Sequence, residues 1–379
     1  MSRKKAQKAH NRRFLLCLLC LFVAKMVCAQ TTALAKLERD AQKLLGAGPF
    51  TVVSKAVTPP SGDKHDYMSQ APYFWPDPKS SNGLPYIRRD GERNPEIDKI
   101  TDHRVMDQMA GAVETLALAY HFKGDEVYAQ KAAQLLRVFF LDRETRMNPN
   151  LQFAQGIPGV NTGRGIGLIE TRGLTRVVDA IGLMKGSKAW ANADQKGMEE
   201  WFAKFLRWML ESKNGRDEAA AKNNHGTFYD VQVVSFALFL GRKDFAKSVL
   251  ETAKTKRIAV QIEPDGRQPL ELARTKAWSY SVGNLDGLMQ LAHLGERLGV
   301  DLWNYQTGDG RGIRKALDYL APFATAEKKW TYQQLGDWPP QMLFPLIRRA
   351  AAHYNDEKFR TLLTKVPAIN ADDRSNLKT

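Results

Sequence analysis

Two short polar segments hold residue types that can move protons beside a negative charge. Asn223-Asn224-His225 stands at the mouth of an apolar run, and Arg274 precedes Tyr280 by six residues inside a helical pattern. Amides and a guanidinium can hold a carboxylate, while imidazole and phenol can take and return protons. The set therefore suits proton abstraction from a carbon next to a carboxylate.

Each segment also has a plainer reading. Asparagine is a favoured helix N-cap, and an apolar helix follows at once. His225 would then sit in the first turn, at the positive end of the helix dipole, where bound anions are favoured and imidazolium is not. Equally, the asparagines only cap the helix. In the second segment Trp278, Val282, Leu285 and Met289 form a core stripe, which leaves Tyr280 and Asn284 on another face. The positive charge of Arg274 is expected to lower the pKa of Tyr280; a tyrosine with one structural hydrogen bond is the alternative. Glu218, seven residues before His225, can orient that imidazole or pair with Arg274; a solvated acid beside Asp217 is the alternative. Candidate substrate contacts are Asn223 and Asn284, Gln155 in an amide-rich loop, Arg164 and Arg172, and a stacking platform of Tyr73 and Trp75.

The elements that must position these groups are nearly all helical. A helical pattern covers residues 31–45. Residues 46–100 then hold eight prolines and five glycines, which exclude long helices. Five aromatics between Tyr67 and Tyr86 mark this stretch as ordered rather than as a linker. Beyond it, periodicity predicts helices near 102–122, 125–141, 165–185, 193–213, 226–240, 242–259, 276–299, 309–321, 341–354 and 356–364. Gly or Pro, including Pro322, punctuates most junctions. No strong strand run is present, and no repeat of fixed period argues for a regular solenoid. The expected fold is all-α, an (α/α) toroid or incomplete barrel of about six to seven helical hairpins, with the aromatic loop segment near the N-terminus. Residues 30–379 are expected to form one catalytic domain. The apolar segments 226–240 and 276–299 are the expected inner helices, with their ends at a central cleft.

Composition narrows the partners. The 379 residues are 43% hydrophobic and 26% charged, ordinary for a globular protein. The first 29 residues differ: a basic start, an apolar run Phe14–Ala24 and small residues before Gln30 read as a secretory signal peptide. All three cysteines lie there, so the remainder uses neither disulfides nor cysteine–metal sites. A periplasmic or secreted bacterial location is expected. This segment also carries seven Lys and Arg and no acid, leaving 49 basic against 41 acidic side chains, a charge of +8. A positive field attracts polyanions, and an exported protein meets acidic polysaccharides more often than nucleic acid. No membrane-spanning domain is expected after the leader. No cofactor or metal is expected either: the seven histidines lack helical zinc spacing, and no Gly-x-Ser-x-Gly elbow or dinucleotide loop is present.

Residues 61–78, reading SGDKHDYMSQAPYFWPDP, followed by Asn223-Asn224-His225-Gly226 and then Arg274 with Tyr280, resemble the alginate-lyase-type polysaccharide lyases. The resemblance spans roughly residues 60 to 350. It implies an α/α toroid that cleaves uronate polymers by β-elimination without a metal. It also implies Asn224, His225, Arg274 and Tyr280, and less directly Glu218, as the catalytic set. The spacing and neighbours of Arg274 and Tyr280 depart from the better-known alginate lyases, which leaves the preferred uronate open. Two other readings remain at this stage. One is a toroidal glycoside hydrolase drawing two carboxylates from Asp66, Asp77, Glu170, Asp230, Glu271 and Asp286. The other is a non-catalytic binder of acidic polysaccharide.

Overall fold

Helices account for most of the chain because apolar residues recur at three- and four-residue spacing between Gly, Pro and capping residues. The computed structural model describes residues 30–377, so the expected leader lies outside the described residues. Helix α1 covers 30–44. After the irregular stretch come α2 (Asp102–Lys123), α3 (Glu126–Leu136), α4 (Leu174–Leu183), α5 (Asn192–Glu211), α6 (Lys213–Ala219), α7 (Asn224–Phe239) and α8 (Lys243–Ala253). The short α9 (Ala259–Gln261) and α10 (Pro269–Leu272) lead to α11 (Ala277–Glu296), α12 (Ile313–Ala324), α13 (Phe344–Tyr354) and α14 (Glu357–Thr364). Two expected helices continue into a π-helical turn, at Arg137–Leu141 after α3 and at Lys254–Ile258 after α8.

The helices pack as a toroid. α2, α4, α7 and α11 touch in that order, while α3, α8 and α12 pack behind α2, α7 and α11. Helix α7 is apolar on nearly every face and buried from Gly226 to Val234, the mark of an inner helix. One apolar core runs from Leu37 to Val366.

Several expectations are corrected. The segment 165–185 is a 3-10 turn over Gly165–Gly173 before α4, because three glycines in its first nine residues weaken an α-helical start. Helix α6, which carries Glu218, was not expected; Ser212 caps it by accepting from the Gly215 N–H. Pro322 lies inside α12 rather than at its end.

Residues 46–100 form no α-helix, only short 3-10 turns at Val52–Ser54 and Pro95–Lys99. Strand β1 (Met68–Gln70) pairs in parallel with β4 (Phe153–Gly156), and β2 (Phe74–Trp75) pairs antiparallel with β3 (Ile87–Arg88). Buried polar contacts pin this segment down. Lys55 and Asp102 form an ion pair of 3.0 Å with both side chains inaccessible, and Asp102 accepts from the Met68 N–H. Tyr67 and Ser69 both donate to Glu170, at 2.7 and 2.6 Å. The aromatic stretch is therefore bolted to α2 and to the Gly165–Gly173 turn.

Among the described residues, no helix is long and apolar enough to cross a membrane, and no cluster of three or more His, Cys, Asp and Glu side chains is spaced to hold a metal ion.

Candidate active site

Helix α7 begins where the site begins. Asn223 is its N-cap, and its side chain accepts from the His225 N–H at 3.3 Å. The preceding turn is tight: a Cβ on Gly226 would collide with the Ala221 carbonyl and the Arg257 guanidinium. Arg257 is itself buried. It donates to both oxygens of Asp230 on α7 and to the carbonyls of Ala219 and Ala221. One guanidinium thus ties the end of α6 to the side of α7. The result is that Glu218, at the end of α6, meets Nδ1 of His225 at 2.7 Å. With Glu218 accepting, Nδ1 carries the proton and Nε2 keeps its lone pair. The sequence put Glu218 two turns from His225 only if one helix ran through both; the structure breaks the helix and still brings the two together.

These groups line a cavity of about 470 Å³, with Arg164, Ile166, Lys222, Asn223 and Leu270 around Glu218 and His225. Arg164 donates to the carbonyl and side-chain oxygen of Gln155 and lies 5.0 Å over the ring of Phe74. Burial pulls its pKa down.

Glu271, on the short helix α10, joins the two polar segments. It accepts from the backbone N–H of Asn224 at 2.6 Å and from its side-chain amide at 2.7 Å. Burial pushes the Glu271 carboxyl up, against these two bonds. Three residues on, Arg274 stacks its guanidinium 4.0 Å from the centre of the Tyr280 ring. Arg274 also donates to both oxygens of Asp90, at 2.8 to 3.2 Å. The Tyr280 hydroxyl donates to the Tyr73 hydroxyl at 3.0 Å.

The expectation that Arg274 lowers the Tyr280 pKa is corrected. Burial raises it, the bond to Tyr73 raises it further, and the pull of Arg274 is outweighed. Tyr280 therefore rests protonated.

Other expected contacts are also corrected. Asn284 is fully buried and donates to Gln261 and Gln268 in the core, so it cannot meet a substrate. Gln155 is buried, with a backbone φ of 50°, and its side chain reaches Arg164 rather than open space. Trp75 donates to the Glu92 carbonyl and carries Arg89 at 5.3 Å over its ring, so one stacking face is already covered. Arg172, by contrast, is exposed, 5.5 Å over Phe228, and stays open to a ligand. Asn224 is buried against Glu271, which leaves at most one amide hydrogen for a ligand.

Sequence reasoning missed Asp90 and the joining role of Glu271. A signal existed for Glu271, one helical turn before Arg274. None existed for Asp90, 184 residues from its partner. The carboxylates considered for hydrolysis are engaged elsewhere. Asp66 holds Ser61, Asn148 and Asn150; Asp230 holds Arg257; Asp286 holds Arg349; and Asp77 accepts from the Lys79 backbone. Glu170 takes Tyr67 and Ser69, and none of these carboxylates lines the cavity beside His225.

Comparison with known proteins follows the same lines. The model of the family described as alginate lyase matches residues 51–330. An alginate lyase from Bacteroides ovatus, solved by crystallography, is 42% identical, with a TM-score of 0.88 over 93% of this chain and 96% of that one. Alginate lyase A1-III from Sphingomonas species A1 is 15% identical, with a TM-score of 0.51 over 87% of this chain and 90% of that one. A histidine-to-alanine variant of alginate lyase A1-III, complexed with a tetrasaccharide, gives 16% and 0.56 over 87% and 90%. These last two likenesses show the fold alone. No curated protein matches the sequence.

Proposed function

Since the chain belongs to the alginate lyase family and is a polysaccharide lyase, we propose that it cleaves a polyuronate by β-elimination, with alginate as the first candidate and glucuronan as the second. The observation that supports this most is the Asn224–Glu271 contact, which ties the Asn–His segment to a residue three positions before Arg274.

In this reading the uronate carboxylate lies against the remaining amide hydrogen of Asn224 and the free edge of Arg274, and His225 joins them only when Nε2 is also protonated. Neutralising that carboxylate acidifies the proton on carbon 5 and stabilises the enolate-like charge that develops as it leaves. The bond from carbon 4 to the bridging oxygen then breaks, that oxygen takes up a proton, and an unsaturated sugar remains on the new non-reducing end.

Stereochemistry assigns the proton carriers. In mannuronate and glucuronate the departing proton and oxygen lie on one face, so Tyr280 serves as base and then acid. To act as base it first gives up its own proton to solvent; the proton it then takes from carbon 5 passes to the bridging oxygen, which returns Tyr280 to tyrosinate. In guluronate they lie on opposite faces, and His225 Nε2 is the base while protonated Tyr280 is the acid. The basic charge balance of the chain and the expected leader support an exported enzyme that meets its polymer outside the cytoplasm.

Incubation with polymannuronate, polyguluronate and glucuronan, followed by the ultraviolet absorbance of the unsaturated product, tests the reading. Absorbance that grows on at least one polymer supports it. New reducing ends without that absorbance would mean hydrolysis, and binding without cleavage would mean a carbohydrate-binding protein.

A further inference from the structure

Asp90 sits where the aromatic segment meets the start of α11, and it makes more contacts than a surface carboxylate needs. It accepts three N–H bonds from Arg274, one from the Thr275 backbone at 3.3 Å and one from the Thr275 hydroxyl at 3.1 Å. Arg88 adds a further bond at 2.7 Å. The next residue, Gly91, has φ of 78°, and a Cβ there would collide with the Thr275 hydroxyl. Close approach of the two chains thus requires glycine.

We propose that Asp90 is a positioning residue for Tyr280: it locks the Arg274 guanidinium flat against the phenol ring and fastens the loop bearing Tyr73 to the helix bearing Tyr280. The geometry makes the three residues one unit. Arg274 lies 4.0 Å from the ring centre, a stacking distance that a free arginine side chain would sample among many. Asp90 removes that freedom by a two-pronged grip, and it supplies a negative charge that offsets the cation beside the phenol. The charged and titratable neighbours of Tyr280 are Arg274 on the ring face, Tyr73 at the hydroxyl and Asp90 behind Arg274. Arg88 lies on the far side of Asp90, and Glu271 next to Arg274. Burial would raise Asp90, but the bonds from Arg274 and Thr275 outweigh it and hold its carboxyl well below the usual range, so the latch is ionised at working pH.

The inference rests on the elimination reading for its kinetic consequence, but not for its physical one. Asp90→Asn keeps the shape and removes the charge; Asp90→Glu keeps the charge and lengthens the arm. With tyrosine ring carbons isotopically labelled and Tyr280 assigned by comparison with Tyr280→Phe, nuclear magnetic resonance follows its ionisation without substrate. In Asp90→Asn the Tyr280 resonance begins to titrate at a pH lower by about one unit, since the amide oxygen still holds the guanidinium over the ring but no longer offsets its charge, which favours the phenolate. In Asp90→Glu it stays close to wild type. The rising limb of kcat against pH moves in the same direction in Asp90→Asn, and kcat on the preferred uronate falls at least ~10-fold at its optimum, the effect of losing one charge-assisted contact. KM changes less. An Asp90→Asn protein with lower activity but an unmoved Tyr280 titration and pH limb would reduce Asp90 to a loop anchor and overturn the proposal. Full activity would overturn it too. If wild-type protein yields no unsaturated product from any uronate, the elimination reading fails, while the resonance titration still decides the role of Asp90.

Discussion

At the scale of single residues, the proposed mechanism divides the arrangement into a group that exchanges protons and groups that hold it in place. Tyr280 has a phenol, a stacked cation and a hydroxyl partner, and burial keeps it protonated. Tyr280→Phe should lower kcat by about 10²- to 10⁴-fold, the usual contribution of a general acid–base group, with little change in KM. Initial rates on the preferred polymer give both constants, and a variant with full activity would remove Tyr280 from the mechanism. Glu218 fixes the tautomer of His225 from a buried position. Glu218→Gln should cost about 10- to 100-fold in kcat, because a charge-assisted bond of roughly 1.5–3 kcal/mol becomes neutral or reverses. If imidazole resonances showed the same tautomer in both proteins, that explanation would fail.

At the scale of elements, short buried ion pairs do what regular secondary structure cannot do for residues 46–100. Lys55 and Asp102 join the irregular stretch to the first turn of α2, with neither side chain reaching water. Removing one partner strands a buried charge. Lys55→Met should therefore destabilise the protein by about 3–5 kcal/mol in urea denaturation, and the double change Lys55→Met with Asp102→Leu should restore much of the loss. Desolvation raises Asp102 to about 6, against the pull of Lys55. The sign follows from linkage. Between the ordinary carboxyl value and about 6, the folded state binds more protons than the unfolded one, so the Asp102 contribution to stability is fullest at low pH and declines as pH rises through that window. Asp102→Asn should lack that decline when the two stability profiles are subtracted. Helix α6 shows a second element-scale effect. It is only seven residues long, yet its end and the turn after it are fastened by Arg257, and this brings Glu218 to His225. Arg257→Met should loosen this turn and lower kcat while leaving the other helices in place, as far-ultraviolet circular dichroism would show.

At the scale of the whole molecule, the toroid and the charge balance bear together on the long anionic substrate proposed. Inner helices α2, α4, α7 and α11 pack in sequence, and Arg164 and Lys222 line the cavity at the start of α7. Attraction between a basic surface and a polyuronate is screened by salt, with a Debye length of about 10 Å at 0.1 M. Raising ionic strength from low to physiological values should raise KM several-fold while kcat, set inside the cleft, changes little. A kcat that fell in step with kcat/KM would contradict this. Much of the architecture was legible in the sequence, because helical periodicity is local: the limits of α2, α5, α7, α11 and α14 lie within a few residues of those expected from Gly, Pro and capping signals. Asn223 as a cap and His225 in the first turn were legible for the same reason. The sequence also carried the family, through residues 61–78 and the two polar segments. Other facts depend on which distant surfaces touch. Asn284 shares a helix with Tyr280, yet it belongs to the core, because its face of α11 turns toward Gln261 and Gln268. Asp90 meets Arg274 across 184 residues, and Tyr73 meets Tyr280 across 207. Those pairings, and the protonation they impose on Tyr280, were decided by tertiary packing alone, since burial and the field of a neighbouring charge exist only once the chain has closed around them.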